Sequence, residues 1–201
     1  MEISNGDAKW VVHPDLTLED VREHDSANEC SGRGSETAAA RGYNAERLAT
    51  AVFSSNGRFN ANREHSWFDT KSFGKNSNAV RIESKSCIDR YPSGGYGQFR
   101  IWAIHHNTMI EVSSELSYET YVYFFLVYTI EDGDAYEVGK LAADPHVIDD
   151  LLSNWRSVRH STKGTDQVRD ISWRQLLSRL GVSVDQFREE NIVVVTDSSD
   201  E

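Results

Sequence analysis

Cysteine, proline and lysine are all scarce in this chain of 201 residues, and each shortage excludes something. Two cysteines, Cys30 in a polar stretch and Cys87 at a strand end, cannot build a disulfide framework, and no Cys/His cluster has the spacing of a zinc site. No apolar run approaches the twenty or so residues that a membrane-spanning helix needs, and the opening Met-Glu-Ile-Ser-Asn-Gly-Asp lacks the basic and apolar regions of a signal peptide. The expectation is a soluble, cytoplasmic protein with no membrane partner. Only six lysines are present, Lys9, Lys71, Lys75, Lys85, Lys140 and Lys163, and the net charge is −11. Such a charge ordinarily argues against a nucleic-acid partner, because binding a polyanion depends on neutralising its phosphates. An acidic, lysine-poor composition is also what molar internal salt favours, since surface repulsion is screened there over about 3 Å. The charge then describes the solvent of a halophile, archaeal in the fullest form of this reading, and the clustering of Lys71, Lys75 and Lys85 becomes informative.

What is present is concentrated between Trp67 and Cys87. Along Ala79 to Cys87 the residues alternate, so Val80, Ile82 and Ser84 project to one face of a strand and Arg81, Glu83 and Lys85 to the other. Glu83 and Lys85 therefore stand side by side. A preceding strand over Ser66 to Lys71, joined by the polar turn Gly74 to Asn78, brings Asp69 near Glu83, which follows it by fourteen residues. Two carboxylates and an ammonium then converge. Carboxylate oxygens suit a hard cation such as Mg2+, which lowers the pKa of a bound water and stabilises charge on a phosphate, while a lysine orients or helps deprotonate that water. An incidental cross-strand ion pair on a solvated face is the plainer alternative.

Ahead of this pair, Arg41 to Phe53 reads as a helix with Ala45, Leu48, Ala49, Val52 and Phe53 on its apolar face and Glu46 at the edge of that face. The order of helix with Glu46, strand with Asp69, strand with Glu83 and Lys85, and a further helix resembles the PD-(D/E)xK nuclease superfamily, which includes restriction endonucleases and archaeal Holliday-junction resolvases. Gly42 to Arg47 is similar to the opening helix of the resolvases, and the likeness spans roughly residues 41 to 110. Phe68 stands where the superfamily's name places a proline. The resemblance implies an α/β fold, a restriction-endonuclease-like core with a central mixed β-sheet flanked by helices. It implies a metal-dependent DNA endonuclease using Mg2+, with Mn2+ as a substitute: Asp69 and Glu83 as metal ligands, Lys85 at the attacking water, Glu46 assisting, and hydrolysis leaving a 3′ hydroxyl. A resolvase would be a homodimer on four-way junctions, whereas a restriction-type enzyme would cut a short duplex sequence. A non-catalytic DNA-binding or interaction module keeping the fold, and an acidic scaffold with an incidental Glu-x-Lys, stay open beside it.

Elsewhere the reading is coarser. Residues 1–40 form a polar extension with one short helix around Leu16 to His24, residues 41–195 one domain, and residues 196–201 an acidic tail. Ile88 to Gly97 concentrates proline and glycine and is a loop, but no Gly-Lys-Ser/Thr follows to make it a Walker loop. From Gln98 to Ile110 the apolar residues fit a helix, placing Gln98 and Arg100 at its start as DNA contacts beside Lys71 and Lys75, with His105 and His106 weighted as packing residues. Tyr118 to Ile130 reads as a buried strand, Glu131 to Asp134 as a hairpin turn and Ala135 to Leu141 as its partner. Pro145 opens a helix through Leu152, with Arg159 as its furthest extent, and the basic window of Arg156, Arg159, His160 and Lys163 is either a DNA-backbone contact or a solvated helix end. Short helices over Ser172 to Leu180 and Ser183 to Glu190 and a strand over Ile192 to Val195 complete the chain.

Overall fold

A computed structural model describes residues 2–5, 8–11, 13–25, 38–53, 58–59, 68–73, 79–115, 119–160 and 164–196. Its centre is a six-stranded mixed sheet in the order β11-β8-β7-β5-β4-β3, formed by β3 (Arg58–Phe59), β4 (Thr70–Phe73), β5 (Ala79–Ile88), β7 (Glu119–Glu131), β8 (Asp134–Ala143) and β11 (Val193–Val195). β5 and β7 run parallel, as do β8 and β11, and the other pairings are antiparallel. β7 is central because both its faces are apolar: Val122, Phe124 and Leu126 point one way and Tyr121, Tyr123, Phe125 and Val127 the other, all buried. A near-continuous apolar run of this kind has no solvated side.

Helices α1 (Leu18–Asp25) and α2 (Ala38–Phe53) cover the first face. Leu48, Ala49, Val52 and Phe53 pack there on Val80, Ile82, Val122 and Phe124, and Leu18 and Val21 join the same core. The first turn of α1 is tied to the sheet by Glu137 on β8, whose carboxylate accepts from the Leu18 amide at 3.0 Å and from the buried Lys140 ammonium at 2.6 Å. The second face carries α3 (Ala103–Glu115), α4 (Pro145–Asp149), α5 (Trp173–Arg179) and α6 (Val184–Glu189), together with a small antiparallel sheet in the order β6-β10-β9. Its strands are β6 (Gln98–Trp102), β9 (Arg156–His160) and β10 (Gly164–Ser172), and a separate hairpin pairs β1 (Glu2–Asn5) with β2 (Ala8–Val11). Among the described residues no helix is long and apolar enough to cross a membrane.

The α/β class and the central mixed sheet agree with the sequence reading, and two elements correct it. Gln98 to Trp102 is a strand, not the start of a helix: Phe99 and Ile101 are buried while Gln98 and Arg100 are exposed, a period of two hidden inside a stretch that also fits a helical stripe. The helix begins only at Ala103. The helix opened by Pro145 likewise ends at Asp149, where Asp144 caps it by accepting from the His146 amide, and Arg156 to His160 is a strand of a hairpin with β10. Both errors have one cause. β6 and β9 are strands because they pair with β10, and β6 finds that partner some seventy residues further on, a contact that local periodicity cannot report.

Gly97 lets the loop between β5 and β6 fold onto β5. A Cβ there would stand 1.7 Å from the carbonyl oxygen of Ile88. Gly42 in α2, by contrast, has open space around a Cβ. Gly97→Ala is expected to destabilise the protein by about 2–3 kcal/mol or more through backbone overpacking, and Gly42→Ala to stabilise it by about 0.5–1 kcal/mol. Urea unfolding of the two variants beside wild type checks both signs.

Candidate active site

The strand ladder between β4 and β5 stops early, and the site occupies the space this leaves. β4 pairs only with Ala79 to Ile82, its last register pair being Thr70 with Ile82, so the β4-side edge of β5 is uncovered from Glu83 onward among the described residues. Asp69, one residue before β4, fills that edge with its side chain. Its amide donates to the Ile82 carbonyl at 2.9 Å, and its carboxylate accepts from the Ser84 amide at 2.8 Å. The acid is thus held beside Glu83, and the sequence expectation placed these two together.

Glu83 and Lys85 share the face of β5 opposite Val80 and Ile82, as alternation requires. Glu83 is 1 % exposed. Its Oε1 accepts from the Lys85 ammonium and lies 3.0 Å from Nδ1 of His105 in the first turn of α3. Its Oε2 is buried with no hydrogen-bond partner among the described residues. Glu46 comes from the other side. Two threonines set its position: Thr50 donates to the Glu46 carbonyl at 2.8 Å, and its hydroxyl lies 3.1 Å from that of the fully buried Thr70, next to Asp69. α2 is thereby fastened to β4 at the turn that carries Glu46, and the Glu46 charge is felt by both Asp69 and Lys85.

Three carboxylates around one lysine in a poorly solvated space set the electrostatics. Burial, then the negative charges of Glu83 and Glu46, raise the Asp69 carboxyl to about 8, against the opposing pull of Lys85 and the Ser84 amide. Burial also pushes Glu83 upward, yet the Lys85 ammonium and His105 outweigh it and hold Glu83 below the usual glutamate range. Lys85 is the counterpart: burial depresses it, but Glu83 and Asp69 raise it overall, so it stays charged. At neutral pH these shifts favour an ionised Glu83–Lys85 pair beside a protonated Asp69.

These residues suit a divalent cation on two observations of the structure. The Glu83 Oε2 atom is a buried oxygen without a hydrogen-bond partner among the described residues, and the Asp69 carboxyl is raised by burial and by the neighbouring negative charges, both of which a cation would offset. Among the described residues no three His, Cys, Asp or Glu side chains form a complete ligand set. Two carboxylates with the remaining positions left to water and phosphate oxygens is the mode in which Mg2+ is commonly held.

The other sequence candidates are more dispersed. Lys71 lies on β4 opposite Arg81, and Lys75 lies outside the described residues, as do Lys163 and Cys30. Gln98 and Arg100 are exposed on β6, where Arg100 forms a two-point ion pair with Asp170 of β10, with its Nε at 2.8 Å from Oδ1. His105 is the site residue that sequence reasoning set aside. The packing role expected of both histidines fits His106, which is buried between Tyr123 at 3.1 Å and Asp149 at 3.0 Å, but His105 one position earlier turns to Glu83. Its signal was its place at the start of the helix that follows the acid-x-lysine strand.

The order of helix, acidic strand end, acid-x-lysine strand and covering helix is matched by a family model, described as a PD-(D/E)XK nuclease superfamily domain, over residues 32–178. The chain belongs to the PD-(D/E)XK nuclease superfamily. That span covers α2, β4, β5, α3, β7 and all of the small sheet, and Asp69, Glu83 and Lys85 lie within it. Comparisons with curated proteins and with solved structures give no significant match. Members of the superfamily usually use divalent metals.

The charge crowding has a sign that can be measured without a metal. A carboxyl raised to about 8 in the folded state and near 3.9 when unfolded leaves the protein progressively less stable as pH rises from about 4 to about 8, since the unfolded chain gives up its proton first. In chelator, Asp69→Asn is therefore expected to melt with wild type near pH 4 and above it at pH 8, the gap widening by up to about 1.4 kcal/mol per pH unit. A pH series of thermal melts shows whether the curves diverge in that direction.

Proposed function

We propose that the protein is a metal-dependent DNA endonuclease that hydrolyses phosphodiester bonds at the open edge of β5. The observation that carries this reading is the convergence of Asp69, Glu83 and Lys85 at that edge, with a carboxylate oxygen on Glu83 that has no hydrogen-bond partner among the described residues. Asp69 and Glu83 would hold the ion, Mg2+ or Mn2+, and the chemistry it supplies when bound is activation of water and neutralisation of charge on the phosphoryl oxygens. Lys85 has a different task. Its ammonium is fixed by Glu83 and kept charged, so it can orient the attacking water and stabilise negative charge that grows on the phosphate during in-line attack.

Glu46 adds negative charge at the far side of the space and is suited to hydrogen-bond a water delivered there. His105 holds the Glu83 carboxylate in one orientation by its contact with Oε1, and Oε2, without a hydrogen-bond partner among the described residues, would be the oxygen available to an ion. Both are positioning roles. Lys71, Lys75, Gln98 and Arg100 are proposed as DNA contacts. The acidic surface is compatible with that partner if the protein works in concentrated salt, where the long-range repulsion of the −11 charge is screened.

The test is cleavage of supercoiled plasmid and of a synthetic four-way junction in high potassium chloride with Mg2+ or Mn2+. Wild type should cut at least one of them, Glu83→Ala and Asp69→Ala should lose cutting, and Lys85→Ala should slow it by roughly a hundredfold or more while still binding the metal. Absence of cutting by folded wild type on both substrates would favour a non-catalytic member of the superfamily.

A further inference from the structure

Two basic stretches far apart in sequence meet on the outer face of the small sheet. On β6, Arg100 points away from the core, since its neighbours Phe99 and Ile101 are the buried ones. On β9, Arg156 points the same way. Both guanidinium groups bind the single carboxylate of Asp170 on β10, the strand between them, and each side chain is still 52 % exposed. Neither is spent inside the protein: one half-buried aspartate is shared by two cations, each with further donors facing solvent.

The loop from β5 extends this surface. Arg90 donates to the Tyr96 hydroxyl at 2.9 Å with its guanidinium 4.5 Å from the ring centre, and Arg174 at the start of α5 lies 4.6 Å from the same ring. Tyr96 in turn meets Trp173 edge to face at 5.8 Å, and the Trp173 indole donates to the Asp89 carbonyl. The loop is therefore anchored, not trailing. At its tip Tyr91 is 44 % exposed, close enough to Arg100 to influence its charge, and its backbone is closed by bonds to Gly94 and Gly95. Arg90 and Arg174 thus flank Tyr96, Arg100 and Arg156 share Asp170, and the exposed Tyr91 lies near Arg100, which gathers four arginines at the 89–97 loop and the small sheet of a chain whose net charge is −11.

We infer that this arginine–tyrosine surface, formed by the 89–97 loop and the outer face of β6-β10-β9, grips the phosphate backbone of the DNA strand beside the cleavage position. The inference rests on the nuclease reading above and names the part of the protein that would hold the substrate. Charge complementarity selects the occupant. Planar guanidinium groups present paired donors that match phosphate oxygens, and arginine stacked on an aromatic ring is preorganised for that contact. Position agrees as well. Arg100 precedes His105, which touches Glu83, by two strand residues and one helical turn, a backbone reach of roughly 12 Å or three to four nucleotide steps. Arg156 stands two strands across, about 10 Å further.

The test uses the full chain and a fluorescein-labelled 30-base-pair duplex, with binding followed by anisotropy in EDTA across a potassium chloride series, so that no cutting intervenes. Arg90→Gln/Arg156→Gln removes two exposed cations and no core group; it should weaken binding by roughly ten- to a hundredfold at 0.1 M salt and flatten the slope of log K against log salt by about two. Arg90→Lys/Arg156→Lys should keep the wild-type slope. A glutamine variant with wild-type affinity and slope overturns the proposal, as does failure of wild type to bind the duplex even at 50 mM salt. Cleavage is scored separately: binding that depends on these arginines in a protein that never cuts would remove the nuclease reading and leave this surface standing.

Discussion

Everything at the site depends on where the β4–β5 ladder ends. A strand edge presents unpaired amides and carbonyls, and proteins normally cover it. Here β4 stops at Thr70 and the Asp69 carboxylate takes the next amide, that of Ser84, in place of a backbone carbonyl. One substitution of a side chain for a strand residue does three things together. It satisfies the edge, it puts an acid beside Glu83, and it leaves that acid pair within reach of both layers, with Glu46 acting from α2 and His105 from α3.

Burial then turns that gathering of acids into a site under electrostatic tension. A solvated cluster of three carboxylates and a lysine would ionise and repel weakly; withdrawn from water, it divides into an ion pair and a neutral acid. The surrounding structure supplies the rigidity that keeps it so. Thr50 and Thr70 fasten α2 to β4, and the small sheet and α3 close over the other face with Phe99, Ile101 and Met109 in the core. The two sides of the central sheet are separately packed, which lets the site sit at the edge where the layers meet.

How far the sequence carried this account varies with the range of the contact. β5 and its paired Glu83 and Lys85 were readable because alternation is a local property, and α2 with Glu46 because five apolar residues from Ala45 to Phe53 recur at helical spacing. The small sheet was not. β6 and β10 find each other across some seventy residues, and Phe99-Arg100-Ile101-Trp102 satisfies a helical stripe and a strand alternation at once, so the pairing alone decides. Arg156, read as part of a helix end, consequently lost its neighbour Arg100 until the fold placed both on Asp170. His105 illustrates the same limit at a single residue, since two adjacent histidines on a helix differ by about 100° in direction and only the packing shows which one meets Glu83.

The proposed chemistry turns on whether Asp69 and Glu83 share a cation. Isothermal titration calorimetry of Mn2+ into the protein at pH 7, repeated in two buffers of different ionisation enthalpy, measures it directly. One site releasing about one proton per ion, and lost in Glu83→Gln, is the result expected if the ion displaces the proton of Asp69. Binding without proton release, or binding that survives the loss of the Glu83 carboxylate, would place the metal elsewhere and contradict the account.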